Sequence, residues 1–269
     1  MQMSTIGTYK DIEVTLEEGN VGVVEIQRPP HNFFDIPLIN QIADAYDVLD
    51  KSDKCRAIVL AAQGKNFCAG ANFGANDEDT GNAEKSDGGK ISGHLYQHAV
   101  RIFEAKTPVI AAVQGAAIGG GLGLAISADF RVTCPEGRFS ANFTRLGFHP
   151  GFGLTYTLPL LIGRNKAAEM FYTGRRVKGD EAVEMGLADR LVSLENIRSG
   201  ALDFAREIAM SAPLAVVATR ATVRGDIADR VRAATDHELE EQNRLRLTND
   251  WSEGVKAMAE RRAPNFTGT

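Results

Sequence analysis

The sequence predicts an α/β fold followed by a helical C-terminal region, and three observations carry that prediction. The run Val109-Ile-Ala-Ala-Val-Gln-Gly115 reads as a buried strand ended by glycine, and Gly119-Gly-Gly-Leu-Gly-Leu-Ala-Ile-Ser-Ala128 as the start of a small-residue helix. Arg56-Ala-Ile-Val-Leu-Ala-Ala62 reads as a second buried strand, left through the turn Gln63-Gly-Lys-Asn-Phe-Cys-Ala-Gly-Ala71. Beyond Leu191 the apolar residues fall at helical spacing.

Taken in order, Tyr9 to Gln27 alternates around Glu18-Gly-Asn20, so the chain opens with a hairpin, and a helix follows Pro37. Residues 77–89 are almost wholly polar and glycine-rich and are expected to form a mobile flap after the Ala71 turn, with Asp77 and Asp79 as acids that closure would bring inward. Ile197 to Met210 reads as one amphipathic helix and Leu214 to Arg246 as a long one rich in Ala, Arg and Glu. The expected organisation is a core over residues 1–195 and a helical region over 196–269, since 269 residues with 43% hydrophobic side chains bury a full core and little more.

A formal charge of −5 and a pI near 5.6 supply no basic field, which argues against nucleic acid or anionic membranes as partners. Cys55, Cys68 and Cys134 form no CxxC pair, and Met1 to Gly7 lacks a basic start followed by an apolar run. The expected location is the cytoplasm, with no membrane span.

The chemistry resides in the two glycine turns. A helix opened by glycines leaves backbone N–H groups free and lets a ligand approach closely. Together with the upstream turn it offers two donors, from Ala71 and Gly120, aimed at one point, the arrangement that stabilises an oxygen becoming negative in a transition state. A dinucleotide fingerprint is disfavoured, because counting from Gly119 the sixth position is Leu124 and from Gly121 it is Ile126. No Walker motif is present. His94 and His98 share a helix face but lack a third ligand, so no metal is expected. Cys68 lies beside the turn without a base close in sequence and reads as a packing residue rather than a nucleophile.

The chain resembles the enoyl-CoA hydratase/isomerase (crotonase) superfamily through Phe67-Cys-Ala-Gly-Ala-Asn-Phe73, Thr107 to Gly121, and Asp129-Phe-Arg-Val. The resemblance runs from Val23-Val-Glu-Ile-Gln-Arg28-Pro-Pro-His-Asn32 through Leu146-Gly-Phe-His-Pro-Gly151 and Tyr172-Thr-Gly-Arg to Glu253-Gly-Val-Lys-Ala-Met-Ala-Glu-Arg-Arg262. It implies a spiral of ββα repeats with a C-terminal helical trimerisation region, a homotrimer or dimer of trimers, coenzyme A thioesters as substrates, and no permanently bound cofactor. The family's oxyanion hole maps to Ala71 and Gly120. Its substrate contacts map to His31 and Phe33 beside the coenzyme A moiety, to Ala69, Asn72 and Phe73 at the turn, and to Arg261, matching a basic position that reaches the phosphates of an adjacent protomer's ligand.

Hydratases of the family add two glutamates, at the positions of Gly123 and Phe143 here. Neither residue can move a proton, which excludes the two-glutamate mechanism at these positions. The leading replacements by position are His149, in the loop expected to face the acyl group, and Tyr96, on a helix that in the family skirts the acyl pocket; each also has an ordinary structural reading. Two functions remain: an enzyme stabilising a thioester enolate through isomerisation, relocated hydration, decarboxylation or ring hydrolysis, or a non-catalytic acyl-CoA-binding protein.

Overall fold

A computed structural model describes residues 4–71, 83–85 and 91–269. Ser4–Thr5 (β1) pairs antiparallel with Ile12–Glu17 (β2), which returns into Val21–Ile26 (β3). The expected hairpin therefore forms, turning through Gly19 (φ 87°) and Asn20 (φ 64°), the two residue types that reach left-handed backbone most easily. Ile36–Asp50 (α1) starts where Asp35 accepts a hydrogen bond from the Leu38 N–H at 2.9 Å, with Pro37 in its first turn.

Ala57–Ala62 (β4) is buried along its whole length, as expected of a strand covered on both faces. Ala83–Lys85 (β5) pairs with Ile91–His94 (β6), which runs into Leu95–Phe103 (α2). Apart from β5, the segment expected to act as a flap lies outside the described residues, and so do Asp77 and Asp79.

Val109–Val113 (β7), Ala116–Ile118 (β8) and Gly120–Ser127 (α3) form a ββα turn, and Phe130–Thr133 (β9), Arg138–Ser140 (β10) and Leu154–Ile162 (α4) form the next. Each turn gives its first strand to one sheet and its second to another. After Arg164–Thr173 (α5), Val177–Lys178 (β11) joins the small sheet, and after Gly179–Glu184 (α6), Arg190–Leu191 (β12) joins the large one. The large sheet runs β1-β2-β3-β4-β7-β9-β12 and is parallel from β3 onward; the small one runs β11-β10-β8, with Cys68 bridging to Ala117 at its edge. This is the expected α/β spiral of ββα repeats.

One face of the large sheet carries the main core, with α1, α2 and α3 over Val24, Ile58 and Leu60. Ile197–Ala209 (α7) closes the other, laying Ile197, Ala201 and Ala205 against Val23, Val59 and Ile110. The helix expected from Leu214 to Arg246 is in fact two, Pro213–Arg224 (α8) and Ile227–Leu245 (α9). The break falls at Gly225, whose φ of 53° leaves the helical region. Asn249–Ala259 (α10) ends the chain's helices.

Two carboxylates fasten these helices to the spiral. Asp129, following α3, pairs with Arg220 and Arg224 of α8 at 2.9 Å each and accepts the Val109 N–H at 2.8 Å. Glu238 of α9, fully buried, accepts the N–H groups of Gly153 (2.7 Å) and Thr155 (2.9 Å) and the Thr155 hydroxyl (2.6 Å) at the start of α4. Burial outweighs those three donors and pushes the Glu238 carboxyl up to about 7.

Glu238→Gln is expected to destabilise the protein by about 1–3 kcal/mol, because one of the converging donors would then face an amide N–H. A raised folded-state pKa stabilises below the unfolded value and loses that stabilisation as pH rises through about 7. Denaturant titrations should therefore show stability falling from pH 5 to pH 8 and a shallower fall in the glutamine variant. Gly121→Ala is expected to cost about 1–3 kcal/mol, since its β-carbon would lie 2.1 Å from the Cys68 carbonyl oxygen; the melting temperature checks it.

Candidate active site

Where the two glycine turns meet, backbone touches backbone. The Cys68 N–H donates to the Ala116 carbonyl at 2.9 Å, the Ile118 N–H returns to the Cys68 carbonyl at 3.1 Å, and the Gly119 N–H bonds the Ser140 carbonyl at 2.8 Å. A β-carbon on Gly70 would sit 2.8 Å from the Ile118 oxygen and 3.7 Å from the Gly120 nitrogen, so only glycine permits this approach. The N–H groups of Ala71 and Gly120 donate no hydrogen bond among the described residues. Both residues line a cleft of about 410 Å³, a size suited to a small-molecule ligand.

Around the donors the cleft is walled by Phe34, Phe143, Leu146 and Met258, with His31 and Phe33 to one side and Arg138, Arg176 and Asn142 also lining it. No aspartate or glutamate stands among the described lining residues. Phe143, buried, packs edge-on against Phe148. Gly123 has no room for any side chain: a β-carbon there would lie 2.6 to 2.8 Å from the Phe152 side chain. Phe152 itself is fully buried and holds a left-handed backbone, φ 65°.

Tyr96 lines the cleft, and burial pushes its phenol up to about 12. Its hydroxyl accepts the Gln242 Nε2–H at 3.0 Å, and the same nitrogen donates to the His149 carbonyl at 2.8 Å. His149 contributes that carbonyl and not its ring. The imidazole is absent from the cleft lining, with Nδ1 2.9 Å from the Pro150 carbonyl and an edge contact to His237. The physical reason is the tight turn Pro150-Gly-Phe-Gly153, in which Gly151 sits against the Tyr96 hydroxyl and Phe152 turns inward.

The helix-face pair His94 and His98 serves structure. His94 caps α2 by accepting the Tyr96 N–H at 3.3 Å, and burial lowers it to about 4, leaving it neutral. His98 meets the Asn40 side chain at 3.0 Å. No cluster of three metal-binding side chains occurs among the described residues. Cys68 is fully buried, and desolvation raises its thiol to about 12, the opposite of an activated nucleophile.

Of the other residues singled out by the sequence, His31, Phe33 and Ala69 line the cleft, Arg261 is exposed at the end of α10 away from the lining, and Asn72 and Phe73 lie outside the described residues. Sequence reasoning missed Gln242 and Phe152. A signal for Gln242 existed: Thr235, Glu238 and Gln242 follow Val231 at helical spacing, placing polar residues on the inward face of α9.

With this geometry in hand, comparison with known proteins is direct. The enoyl-CoA hydratase/isomerase family profile matches residues 17–269. An enoyl-CoA isomerase/hydratase of Zymoseptoria tritici is 33% identical over 93% of this chain and 84% of its own. A crotonyl-CoA hydratase of Syntrophomonas wolfei is 31% identical over 96% and 98%. The crystal structure of an enoyl-CoA hydratase/isomerase from Pseudoalteromonas atlantica superposes with a TM-score of 0.83 at 29% identity, covering 96% of this chain and all of that one. The chain belongs to the enoyl-CoA hydratase/isomerase family.

Proposed function

We propose that the protein is an enzyme acting on acyl-CoA thioesters, of the lyase or isomerase kind, through an enolate whose oxygen is held by the Ala71 and Gly120 N–H groups. The observation that carries this reading is the pair of donors, unbonded among the described residues, at one cleft that the Tyr96 phenol also lines. As negative charge gathers on the thioester oxygen, two preplaced N–H dipoles stabilise it without reorganisation, an effect worth about 3–4 kcal/mol per donor in comparable sites.

Tyr96 acts as the general acid. In the hydration direction water adds its oxygen to the β-carbon of the enoyl thioester and releases one proton to solvent while the π electrons move onto the thioester oxygen. The Tyr96 O–H proton then joins the α-carbon as the enolate pair re-forms the carbonyl, leaving a phenolate that takes a proton back from solvent. Phe143 and the Phe152 ring over Gly123 replace acidic groups with apolar surface, so the reaction does not follow two-glutamate hydration. The coenzyme A moiety lies along His31, Phe33 and Ala69, with Asn72 and Phe73 completing its side of the turn and Arg261 meeting phosphates across a subunit boundary. Exposed Leu214 and Val223 on α8 support a homotrimer or dimer of trimers. The protein works in the cytoplasm; no helix among the described residues is long and apolar enough to cross a membrane.

Incubation with crotonyl-CoA and a 3-enoyl-CoA, followed by the conjugated thioester absorbance and by calorimetric binding, should show turnover. Tight binding of both without turnover would contradict the enzyme reading. Tyr96→Phe should lower kcat by about 10²–10⁴. A general acid loses activity as pH rises through its pKa, so with the phenol near 12 the rate should hold through pH 10; an alkaline fall centred at pH 8 would assign the proton to another group.

A further inference from the structure

We propose that Gln242 is a positioning residue that turns the Tyr96 hydroxyl so that its single hydrogen points into the cleft. The inference rests on the acyl-thioester reading above and adds to it a residue from the C-terminal helices. Gln242 is fully buried on α9, and its Nε2 spends both hydrogens, one on the His149 carbonyl at 2.8 Å and one on the Tyr96 oxygen at 3.0 Å.

The amide cannot be turned around. With Oε1 in place of Nε2, two carbonyl oxygens would face each other at 2.8 Å, so the backbone acceptor at His149 fixes which end of the amide meets the phenol. Oε1 is buried and has no hydrogen-bond partner among the described residues, so both bonds that hold the amide come from its nitrogen. The Tyr96 oxygen is thereby an acceptor toward Gln242, and its O–H has to go elsewhere.

The remaining directions are few. Gly151 presses on the hydroxyl so closely that a β-carbon there would lie 2.2 Å from the Tyr96 oxygen. The ring is held edge-on by His94 at 4.7 Å and by Phe152 at 6.4 Å. No described residue accepts the phenol hydrogen, and Tyr96 is one of the residues that line the cleft. A ligand oxygen or a carbanionic α-carbon placed there receives the proton. The Gln242 N–H also stabilises the phenolate left behind. Glu238, one turn earlier on α9, anchors the same helix to Gly153 and Thr155, so the positioning residue stands on a fixed support.

The test is a double-mutant cycle in the full-length protein with Tyr96→Phe, Gln242→Met and Gln242→Glu, reading crotonyl-CoA affinity by calorimetry and turnover by absorbance, with thermal melts confirming folding. If Gln242 acts through the phenol, Y96F lowers kcat by about 10²–10⁴ and Q242M by at least about tenfold, each with little change in KM or in crotonyl-CoA affinity. The double variant is then no worse than Y96F alone. Q242E, nearly the same shape, should match Y96F, because its carboxyl oxygen captures the phenol hydrogen.

Multiplied losses in the double variant would make Gln242 merely structural and overturn the proposal, as would a wild-type-like Q242M beside an impaired Y96F; in both cases the acyl-thioester reading stands. A Y96F variant equal to wild type in affinity and rate would remove Tyr96 from the reaction, and failure of the wild type to bind crotonyl-CoA would remove the thioester reading. Either would take this inference with it.

Discussion

The structure depends on one close contact between two pieces of backbone. Gly121 lies so near the Cys68 carbonyl that no side chain fits between them, and a β-carbon on Gly70 would lie 2.8 Å from the Ile118 oxygen. From this contact follow the edge of the small sheet, the entry into α3, and the two N–H groups that find no acceptor among the described residues. A fold ordinarily satisfies its backbone donors, so two that have no acceptor among the described residues at one cleft wall are the basis for proposing a ligand there. Phe34 locks the arrangement from the outside: its N–H bonds the Gly70 carbonyl at 3.1 Å, and its ring occupies the space a side chain at Gly120 would need.

The C-terminal helices do more than cover the spiral. Asp129 grips α8 through two arginines, Glu238 ties α9 to the start of α4, and Gln242 extends from α9 to the rim of the site. Buried polar groups are costly unless partnered, and these three side chains each make at least two hydrogen bonds or ion pairs at one defined place. The helical region thereby holds Tyr96, which lines the same cleft as Ala71 and Gly120. Under the proposed reaction this geometry would have to hold to well under about 1 Å, a demand that support from helices meets better than support from a loop.

Much of this was legible in the sequence because glycine and strand patterns are local signals. The hairpin at Gly19 and Asn20, the strands at β4 and β7, and the glycine turns that bring Ala71 and Gly120 to one cleft all follow from residues next to one another in the chain. What escaped is long-range. Phe152 fills the space over Gly123 from 29 positions away, and Gln242 meets Tyr96 across 146. His149 looked chemically apt, but the loop spends its backbone carbonyl and turns its ring toward His237. The long C-terminal helix broke at Gly225 because one glycine with positive φ outweighs a favourable stretch on each side.

The central claim, that the Ala71 and Gly120 N–H groups hold the carbonyl oxygen of a thioester, is tested most directly by isotope-edited infrared spectroscopy of bound crotonyl-CoA carrying a 13C label at the thioester carbon. Two converging N–H donors predict that the carbonyl stretch moves to lower frequency on binding, beyond its position in water. A bound carbonyl with the frequency of the free ligand would contradict the account.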